Sequence, residues 1–257
     1  MKLQLRPVLS AFGILISGLW FLASSSALAA DLPDGNAMLA RIDANAVSSN
    51  KVVVAQMIVH GRRATRTVKS KSWIQGTARS FTEYLAPARD AGTKMLKLGD
   101  ELWTYTPSTD RTIKISGHML RQSVMGSDLS YEDMMEDPVL SKSYTAEVTG
   151  SDTVLDRPCW ILTLTASKID AAYHTRKLWV DKDRSVALKE ERFAKSGTLL
   201  KTTEARQLKQ LDGRWVITAA VFRDALKQGG GTEFLVDSLR FNATIPDYIF
   251  SKAALKK

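Results

Sequence analysis

Apolar and polar residues alternate with a period of two over most of the chain after residue 50. In the first of these segments, Val53, Ala55, Met57 and Val59 alternate with a second set that is also partly apolar, so we predict a strand covered on both faces. Similar segments follow, separated by residues typical of turns, which predicts an antiparallel sheet that closes on itself. Because the sequence has no repeat of fixed period and no linker rich in proline or serine, we predict a single domain.

Turn residues between apolar segments predict two hairpins. The first turns at Gly99 and Asp100, and the second turns at residues 181–184. Three consecutive glycines, Gly229–Gly231, follow farther along the chain. They lack the Lys-Ser/Thr ending of a phosphate-binding loop, so we interpret them as a flexible turn.

Helices are predicted only near the start and in the middle of the mature chain. Residues 34–47 carry apolar side chains at helical spacing, with Asp34 as the candidate N-cap. Between Gly117 and Leu140 the alternation stops. A short helix is predicted there, beginning after Ser130, which is a second candidate N-cap.

The segment between Gly117 and Leu140 is rich in methionine. Methionine is flexible and polarizable, which suits a surface that repacks against variable apolar ligands. It suits an ordinary core equally well, and the sequence leaves both interpretations open. The acidic residues of the segment are interpreted as a solvated helix face rather than as paired catalytic carboxylates. They are Glu132, Asp133, Glu136 and Asp137.

The first 29 residues predict a cleavable signal peptide. Lys2 and Arg6 precede an apolar run that is shorter than the roughly 20 residues needed to span a bilayer. Ala27 and Ala29 then supply the small residues that a signal peptidase requires. We expect export to the periplasm and cleavage after Ala29, which leaves a mature domain over residues 30–257. No lipid anchor is expected, since no cysteine lies near the cleavage site.

Composition and motifs argue against an enzyme, a metal site and a disulfide framework. The one cysteine, Cys159, lies in an apolar strand pattern and is predicted to be a small buried residue. The three histidines have no partners at metal-ligand or catalytic spacing. The sequence also lacks the motifs of serine hydrolases, zinc proteases and phosphate loops. We therefore predict neither catalysis nor a cofactor.

The chain carries a net charge of +9, with a basic stretch over residues 62–71. No aromatic-basic recognition motif accompanies it, and nucleic acid is not an expected partner outside the cytoplasm. The stretch could steer the protein to an anionic membrane or an acidic partner. A charged solvent face of a strand explains it more simply.

Several segments resemble, in the same order, the LolA-like outer-membrane lipoprotein-sorting protein family. Residues Gly99–Pro107, with the sequence GDELWTYTP, resemble one element of that family, and residues 111–117, 125–128 and 130–133 after it are similar to an uncharacterised periplasmic branch of the same superfamily. A hairpin around Trp179 and the C-terminal segment Phe241–Asp247 are similar to later elements. Together these matches extend over nearly all of the predicted mature chain.

The resemblance implies a mainly β fold with a few helices, a half-open antiparallel β-barrel in which a helical lid covers a hydrophobic cavity. Family members carry acylated lipoproteins or bind lipid-like ligands in the periplasm. A cavity wider than its own side chains can fill would shield acyl chains, since each buried CH₂ contributes about 0.8 kcal/mol. The arginine-proline element that helps to hold the lid closed in lipoprotein carriers is missing. Arg89 lies in the corresponding stretch, and that role is not carried over to it.

The expected function is a non-enzymatic periplasmic carrier or binding protein for lipidated proteins or lipid-like hydrophobic ligands, linked to lipoprotein sorting or envelope lipid export. The alternative is an envelope-stress sensor, or an accessory subunit of an export complex, that binds a protein partner. We expect a monomer that works with an inner-membrane exporter or an outer-membrane acceptor. For the aromatic candidates, plain core packing is the competing interpretation. The candidate wall and lid residues are Trp103, Tyr105, Met119, Leu120, Met125, Met134 and Met135.

Overall fold

Thirteen strands and two α-helices make up a computed structural model of the chain, which describes residues 32–169 and 171–257. The predicted signal peptide lies outside these residues. Among the described residues, no helix is long and apolar enough to cross a bilayer. The elements are α1 Gly35–Ala46, β1 Asn50–Gly61, β2 Thr65–Gln75, β3 Arg79–Ala86, β4 Lys94–Leu98, β5 Glu101–Thr106, β6 Arg111–Ile115, α2 Tyr131–Met135, β7 Tyr144–Val154, β8 Arg157–Ala166, β9 Thr175–Asp181, β10 Ala187–Phe193, β11 Leu199–Leu211, β12 Arg214–Asp224 and β13 Gly229–Phe241.

All thirteen strands belong to one antiparallel sheet. Their order is β6-β5-β4-β3-β2-β1-β13-β12-β11-β10-β9-β8-β7, so β6 and β7 are the two edges and the sheet is not closed. Neighbours in the sheet are also neighbours in the chain, except where β1 pairs with β13. This architecture confirms the prediction of a mainly β, half-open antiparallel barrel with few helices, whereas the prediction from the alternation of a sheet that closes on itself is wrong.

Both predicted hairpins are confirmed, as β4–β5 and β9–β10. The interpretation of Gly229–Gly231 as a flexible turn is wrong, because these glycines begin β13 and pair with the end of β1. Gly231 has a φ of +91°, and a Cβ there would lie 2.8 Å from the carbonyl oxygen of Phe222. The close approach of β12 therefore requires glycine at this point of the strand.

Side chains alternate between the two faces of the sheet, and residues paired in register share a face. Met57 and Val68 are paired on what we call the inner face in the first half of the sheet, and Leu162 and Leu178 are paired on it in the second half. Helix α1 and the connection between β6 and β7 both pack on this inner face. The opposite, outer face of strands β3 to β5 is covered by the C-terminal residues.

The sheet is strongly curled. Lys97 of β4 donates to the carbonyl of Met135 at 3.0 Å, while Arg176 of β9 forms an ion pair with Glu136, the next residue. Strands β4 and β9 are eight positions apart in the sheet, which in a flat sheet would separate them by roughly 38 Å. Consecutive residues are only about 3.8 Å apart at their Cα atoms. Strands β4 and β9 can therefore contact the adjacent residues Met135 and Glu136 only because the sheet curls around the connection between β6 and β7.

Helix α1 closes part of the inner face. Its predicted N-cap is confirmed, since the Asp34 carboxylate accepts hydrogen bonds from the backbone N–H groups of the first turn. Leu39 is fully buried against strands β7 to β9. The start of the helix lies so close to β7 that a Cβ on Gly35 would be 2.4 Å from the carbonyl oxygen of Ala146.

The C-terminal residues 242–257 pack on the outer face. Phe250 and Leu255 are buried there against Phe81 and Leu96. Since the inner face of the same strands is also covered, β3 to β5 are covered on both sides. In β1, Val52 is buried on the outer face and Met57 on the inner face, so the two-sided burial predicted for the first strand is confirmed at Val52, while the outer side chains farther along β1 are only half-buried.

We predict that Gly35→Ala destabilises the protein although alanine favours a helix by up to about 1 kcal/mol. The added methyl group would meet the backbone of β7, and overpacking of this kind costs about 1–3 kcal/mol. Gly150→Ala is the matched control, because its Cβ would meet only a side-chain carbon of Ile161 at 3.7 Å. Urea unfolding measures both free energies, and equal stabilities for the two variants would contradict the close packing of α1.

Candidate functional site

Residues 116–143 connect β6 to β7 across the inner face, and we call them the crossover segment. They contain short 3₁₀ turns and helix α2. Ser130 caps α2 in a reciprocal capping box with Asp133, which confirms the short helix predicted after Ser130. The segment carries no strand, in agreement with the break in alternation.

The apolar side chains of the crossover segment fill the inner face of strands β1 to β6. Val124 is the most deeply buried of them, at 1% exposure. Of the two interpretations of this methionine-rich stretch, core packing describes the present conformation. The strand residues that receive it are Met57, Val68, Tyr84, Met95, Leu102, Ile115 and Phe234.

The structure brings four of the seven predicted site residues together. Met119, Leu120, Met125 and Met135 all pack into this inner cluster. Met134, on the other side of α2, is 39% exposed. Four of the five candidate residues of the crossover segment therefore share one apolar cluster, and Met134 lies outside it.

Trp103 and Tyr105 lie on the outer face, away from the crossover segment. Both pack with the C-terminal residues, and the Lys252 ammonium group lies 3.8 Å from the centroid of the Trp103 ring. The backbone of the sheet separates them from the methionines. The seven predicted residues thus do not surround one space, and the two aromatic residues have the core-packing surroundings considered as their alternative.

Basic side chains of the first strands bind the backbone of the crossover segment. Arg66 of β2 donates to the carbonyl of Met125, and Lys97 of β4 donates to that of Met135. Burial lowers the pKa of Lys97, against the opposing charges of nearby carboxylates. The assignment of the whole basic stretch 62–71 to a solvent face is therefore wrong at Arg66, whose position on β2 turns it inward with Val68.

Asp133 of α2 is the most heavily bonded carboxylate of the segment. Its side chain is 4% exposed, and it accepts from Tyr173 Oη at 2.6 Å, Arg192 Nη1 at 2.9 Å and Lys201 Nζ at 2.5 Å. Burial raises the pKa of Asp133, but the hydrogen bond and charge of Lys201, together with the bonds from Ser130 and Tyr173, lower it to about 2. Asp133 is therefore ionised and ties α2 to β10 and β11.

A second group of charges continues this network toward β9. Arg176, with a side chain only 2% exposed, pairs with Glu136 of the crossover segment and with Glu190 of β10 at 2.8 Å. Glu190 also pairs with Arg192 at 2.9 Å. Because these charges are shielded from water, each depends on its partner for compensation.

The interpretation of the acidic residues as a solvated helix face is wrong for Asp133, which is buried against the strands. Glu136 also faces the sheet, through its ion pair with Arg176. Arg89, the residue near the missing arginine-proline element, is 64% exposed and pairs only with its neighbour Asp90. Among the described residues of the early strands, Arg66 rather than Arg89 contacts the crossover segment.

Asp128 fastens the middle of the crossover segment to the turn between β12 and β13. Its carboxylate accepts from Thr232 Oγ1 at 2.6 Å and from the backbone N–H of Asp224 at 3.0 Å. Lys201 donates to the Asp128 carbonyl at 3.1 Å. The segment is thus held at several points along its length, each time by a side chain.

Two cavities lie beside the crossover segment, with volumes of about 250 Å³ and about 410 Å³. The smaller lies between Asp128 and the turn that leads into β13. The larger includes Tyr173 and Lys201, which bind Asp133, together with the apolar Leu200 and Leu226. Both have charged groups on their walls. In this conformation the crossover segment occupies the apolar inner face of β1 to β6.

Two further predictions concern metal binding and the single cysteine. No group of three His, Cys, Asp or Glu side chains in residues 32–169 and 171–257 is arranged to hold a metal ion. Cys159 is fully buried, which confirms the prediction of a small buried residue. Burial raises the pKa of its thiol, which disfavours the reactive thiolate.

The charged network was not predicted, although part of its signal is in the sequence. Arg176 shares the alternating face of Leu178 and Val180, and a charged residue on a buried strand face requires a partner. The partners lie 40 residues before it and 14 residues after it, as Glu136 and Glu190. Only the curled sheet brings them together.

We predict that Asp133→Asn destabilises the protein by about 3–5 kcal/mol near neutral pH, because it leaves the buried Lys201 without a carboxylate and Arg192 with Glu190 alone. The native pKa of about 2 lies below the ordinary value near 3.9, so this stabilisation is present above about pH 4 and is lost as the pH falls through 2. Urea unfolding as a function of pH measures the free energies of unfolding of the variant and the parent protein. The difference between them should become smaller as the pH falls from about 4 to 2.

Glu132→Gln is the matched control for that experiment. It removes the neighbouring carboxylate of α2, which has no ion pair within the described part of the chain. The parent and this variant should have similar stabilities at every pH. If Glu132→Gln and Asp133→Asn behaved alike, the buried network would not be what holds α2.

Comparison with known proteins places this fold. A family model described as an uncharacterized protein matches residues 76–257, well over half of the chain. A DUF1329 family protein from Desulfovibrio piger is 26% identical in sequence, with a TM-score of 0.79 over 86% of this chain and 97% of that one. A search of the curated proteins finds no match.

Two further solved structures have the same fold. One is a putative outer membrane lipoprotein-sorting protein domain from Vibrio parahaemolyticus, 22% identical, with a TM-score of 0.76 over 87% of this chain and 98% of that one. The other is a LolA superfamily protein from Nitrosomonas europaea, 22% identical, with a TM-score of 0.70 over 87% of this chain and 100% of that one. The chain belongs to the uncharacterized-protein family whose model it matches, and its fold is that of the LolA-like outer-membrane lipoprotein-sorting proteins.

Proposed function

We propose that this protein is a non-enzymatic periplasmic carrier or binding protein for lipidated proteins or lipid-like ligands, linked to lipoprotein sorting or envelope lipid export. The observation that supports the proposal is the apolar inner face of the sheet, covered by a segment that is not part of the sheet. In the proposed cycle the crossover segment moves aside, and acyl chains take its place against the strands. The protein acts as a monomer between an inner-membrane exporter and an outer-membrane acceptor.

The crossover segment can leave without breaking the sheet. Its backbone-to-backbone hydrogen bonds, such as those from Val124 to Leu129 and from Tyr131 to Gln122, are internal to the segment, except at its end, where the Ser143 carbonyl accepts from the N–H of Ser167. Side chains make its bonds to the strands, as at Lys97 and Lys201. A lid built in this way can move as a unit while every strand keeps its neighbours.

An acyl chain can replace the apolar contacts that the segment gives up. Exposing a buried Met, Leu or Val side chain costs about 1.5–3 kcal/mol. The segment packs six such side chains on the strands, of which Val124 is fully buried and the other five, among them Met125, are partly buried. An acyl chain of about a dozen carbons contributes about 10 kcal/mol at 0.8 kcal/mol per CH₂. The free energy lost when the segment's side chains are exposed is thus similar to the free energy gained when an acyl chain is buried. The protein can therefore both bind and release such a chain.

The first prediction from this proposal is that the protein purified without detergent from cells that export it contains an acylated molecule. Mass spectrometry of its organic extract should detect that molecule at near one equivalent. A mutant protein with Val124→Asp, which places a charge on the buried side of the lid, should retain less. Extracts that are empty in repeated preparations would contradict the carrier function and favour the protein-binding alternative.

The second prediction is that fixing the crossover segment to the sheet blocks ligand uptake. Asp128 and Thr232 touch through their side chains, so cysteines at both positions lie within reach of a disulfide. The oxidised double variant should lose binding of a fluorescent monoacylglycerol, and reduction should restore it. The measurement is the rise in probe fluorescence on binding.

Each single variant, Asp128→Cys and Thr232→Cys, controls for the lost hydrogen bond. Cys159 is buried and does not compete for the new disulfide, and Cys159→Ala removes it from the comparison. Unchanged uptake in the oxidised double variant would show that the ligand does not enter beneath the crossover segment, and the proposed route would be wrong.

A further inference from the structure

We propose, on the basis of the carrier function above, that the ligand is a lipid with an anionic headgroup, and that this headgroup replaces the Asp133 carboxylate at Lys201 and Arg192. The proposal rests on the charges that the inner face keeps when the crossover segment moves. It names both the class of the ligand and the place where its headgroup binds.

Much of the negative charge that faces the buried cations belongs to the crossover segment. Four cations of the strands, Lys97, Arg176, Arg192 and Lys201, are all largely buried. Outside the crossover segment, the carboxylates near them are Glu190, which pairs with both arginines, Asp224, the register partner of Lys201, and Asp100, whose charge acts on Lys97. The crossover segment supplies three more, which are Asp133, Glu136 and Asp137.

When the segment leaves, these cations lose three of the carboxylates that face them. Lys97 and Lys201 have hydrogen-bond partners only in the crossover segment among the described residues. Asp224 does not form an ion pair with Lys201, and its carboxylate accepts from the backbone N–H of Leu226 instead. Lys201 is then left without an ion-pair partner next to an apolar surface, and Arg192 keeps only Glu190. A buried cation without a partner is strongly unfavourable.

A ligand that brings its own anion removes this penalty, and one with acyl chains alone does not. A phosphate or carboxylate group can accept from Lys201 and Arg192 as Asp133 does, and such charge-assisted bonds are stronger than neutral ones. The acyl chains would then cover the apolar surface around Met57 and Leu102. The order of groups along an anionic lipid therefore matches the order of polar and apolar groups on the inner face.

The cavity of about 410 Å³ gives a headgroup access to this place. Lys201 and Tyr173 form part of its wall and bind Asp133 on their other side. Leu226, at its rim, is 73% exposed. Arg121, Glu132 and Asp224 also line it, so the cavity itself has no net charge. The preference for an anion arises at Lys201 and Arg192 once Asp133 has moved.

The test compares ligands with similar chains and different headgroups. Lysophosphatidic acid and the monoacylglycerol of the same chain length are titrated into the delipidated protein, below their micelle-forming concentrations, by calorimetry. The anionic lipid should bind at least about tenfold more tightly. In Lys201→Met the ratio of the two affinities should fall toward one, whereas Lys201→Arg should keep most of it.

Lys69→Met is the matched control, because Lys69 lies outside the network and pairs with Asp237 at 3.2 Å. It removes the same charge and should leave the affinity ratio unchanged. An equal fall in Lys69→Met and Lys201→Met would show general attraction by a basic protein and would overturn the proposal. Far-ultraviolet circular dichroism confirms that each variant is folded before titration.

The outcomes separate this proposal from the carrier function. Equal affinity for the two lipids in the parent protein overturns the anionic headgroup and leaves the carrier function standing. Binding of neither lipid overturns the carrier function itself. Inorganic phosphate is the third probe, and if it bound as tightly as lysophosphatidic acid, the site would be an anion site without a lipid, against the proposal.

Discussion

Met135 and Glu136 are consecutive residues, and strands from opposite halves of the sheet bind them. This double contact ties the two halves of the sheet together on the inner face, although their edge strands are not hydrogen-bonded to each other. The crossover segment therefore fills the interior of the curled sheet and also links its two halves. If it moves, the inner apolar surface is exposed and the tie between the halves is released at the same time.

The contacts that hold the crossover segment are of two kinds with different strengths. Apolar contacts around Val124 are numerous and without direction, so another apolar group can replace them. The ion pairs of Asp133 and Glu136 have defined geometry and buried partners, so only another anion can replace them. In the proposed function, the second kind of contact determines the charge of the ligand, and the first kind determines the size of its apolar part.

The fold is shared with LolA-like proteins, while the way in which the crossover segment is held belongs to this chain's own residues. In the first half of the sheet, the Arg66 side chain of β2 donates to the backbone carbonyl of Met125. The main ion pairs come from β9 to β11, in the other half of the sheet. If the proposed function holds, the residues between the sheet and the crossover segment, rather than the fold itself, determine which ligand is accepted.

The sequence by itself determined the elements, because their signals are local. Alternation located the strands, glycine and aspartate located two hairpins, and Asp34 and Ser130 marked the two helix starts. It also identified the crossover segment and four of its packing residues. Only the tertiary structure decided which face each residue occupies across the sheet, and so placed Trp103 and Tyr105 outside. It alone paired Asp133 with Lys201, since the curl of thirteen strands sums many small twists and joins residues that no local pattern relates.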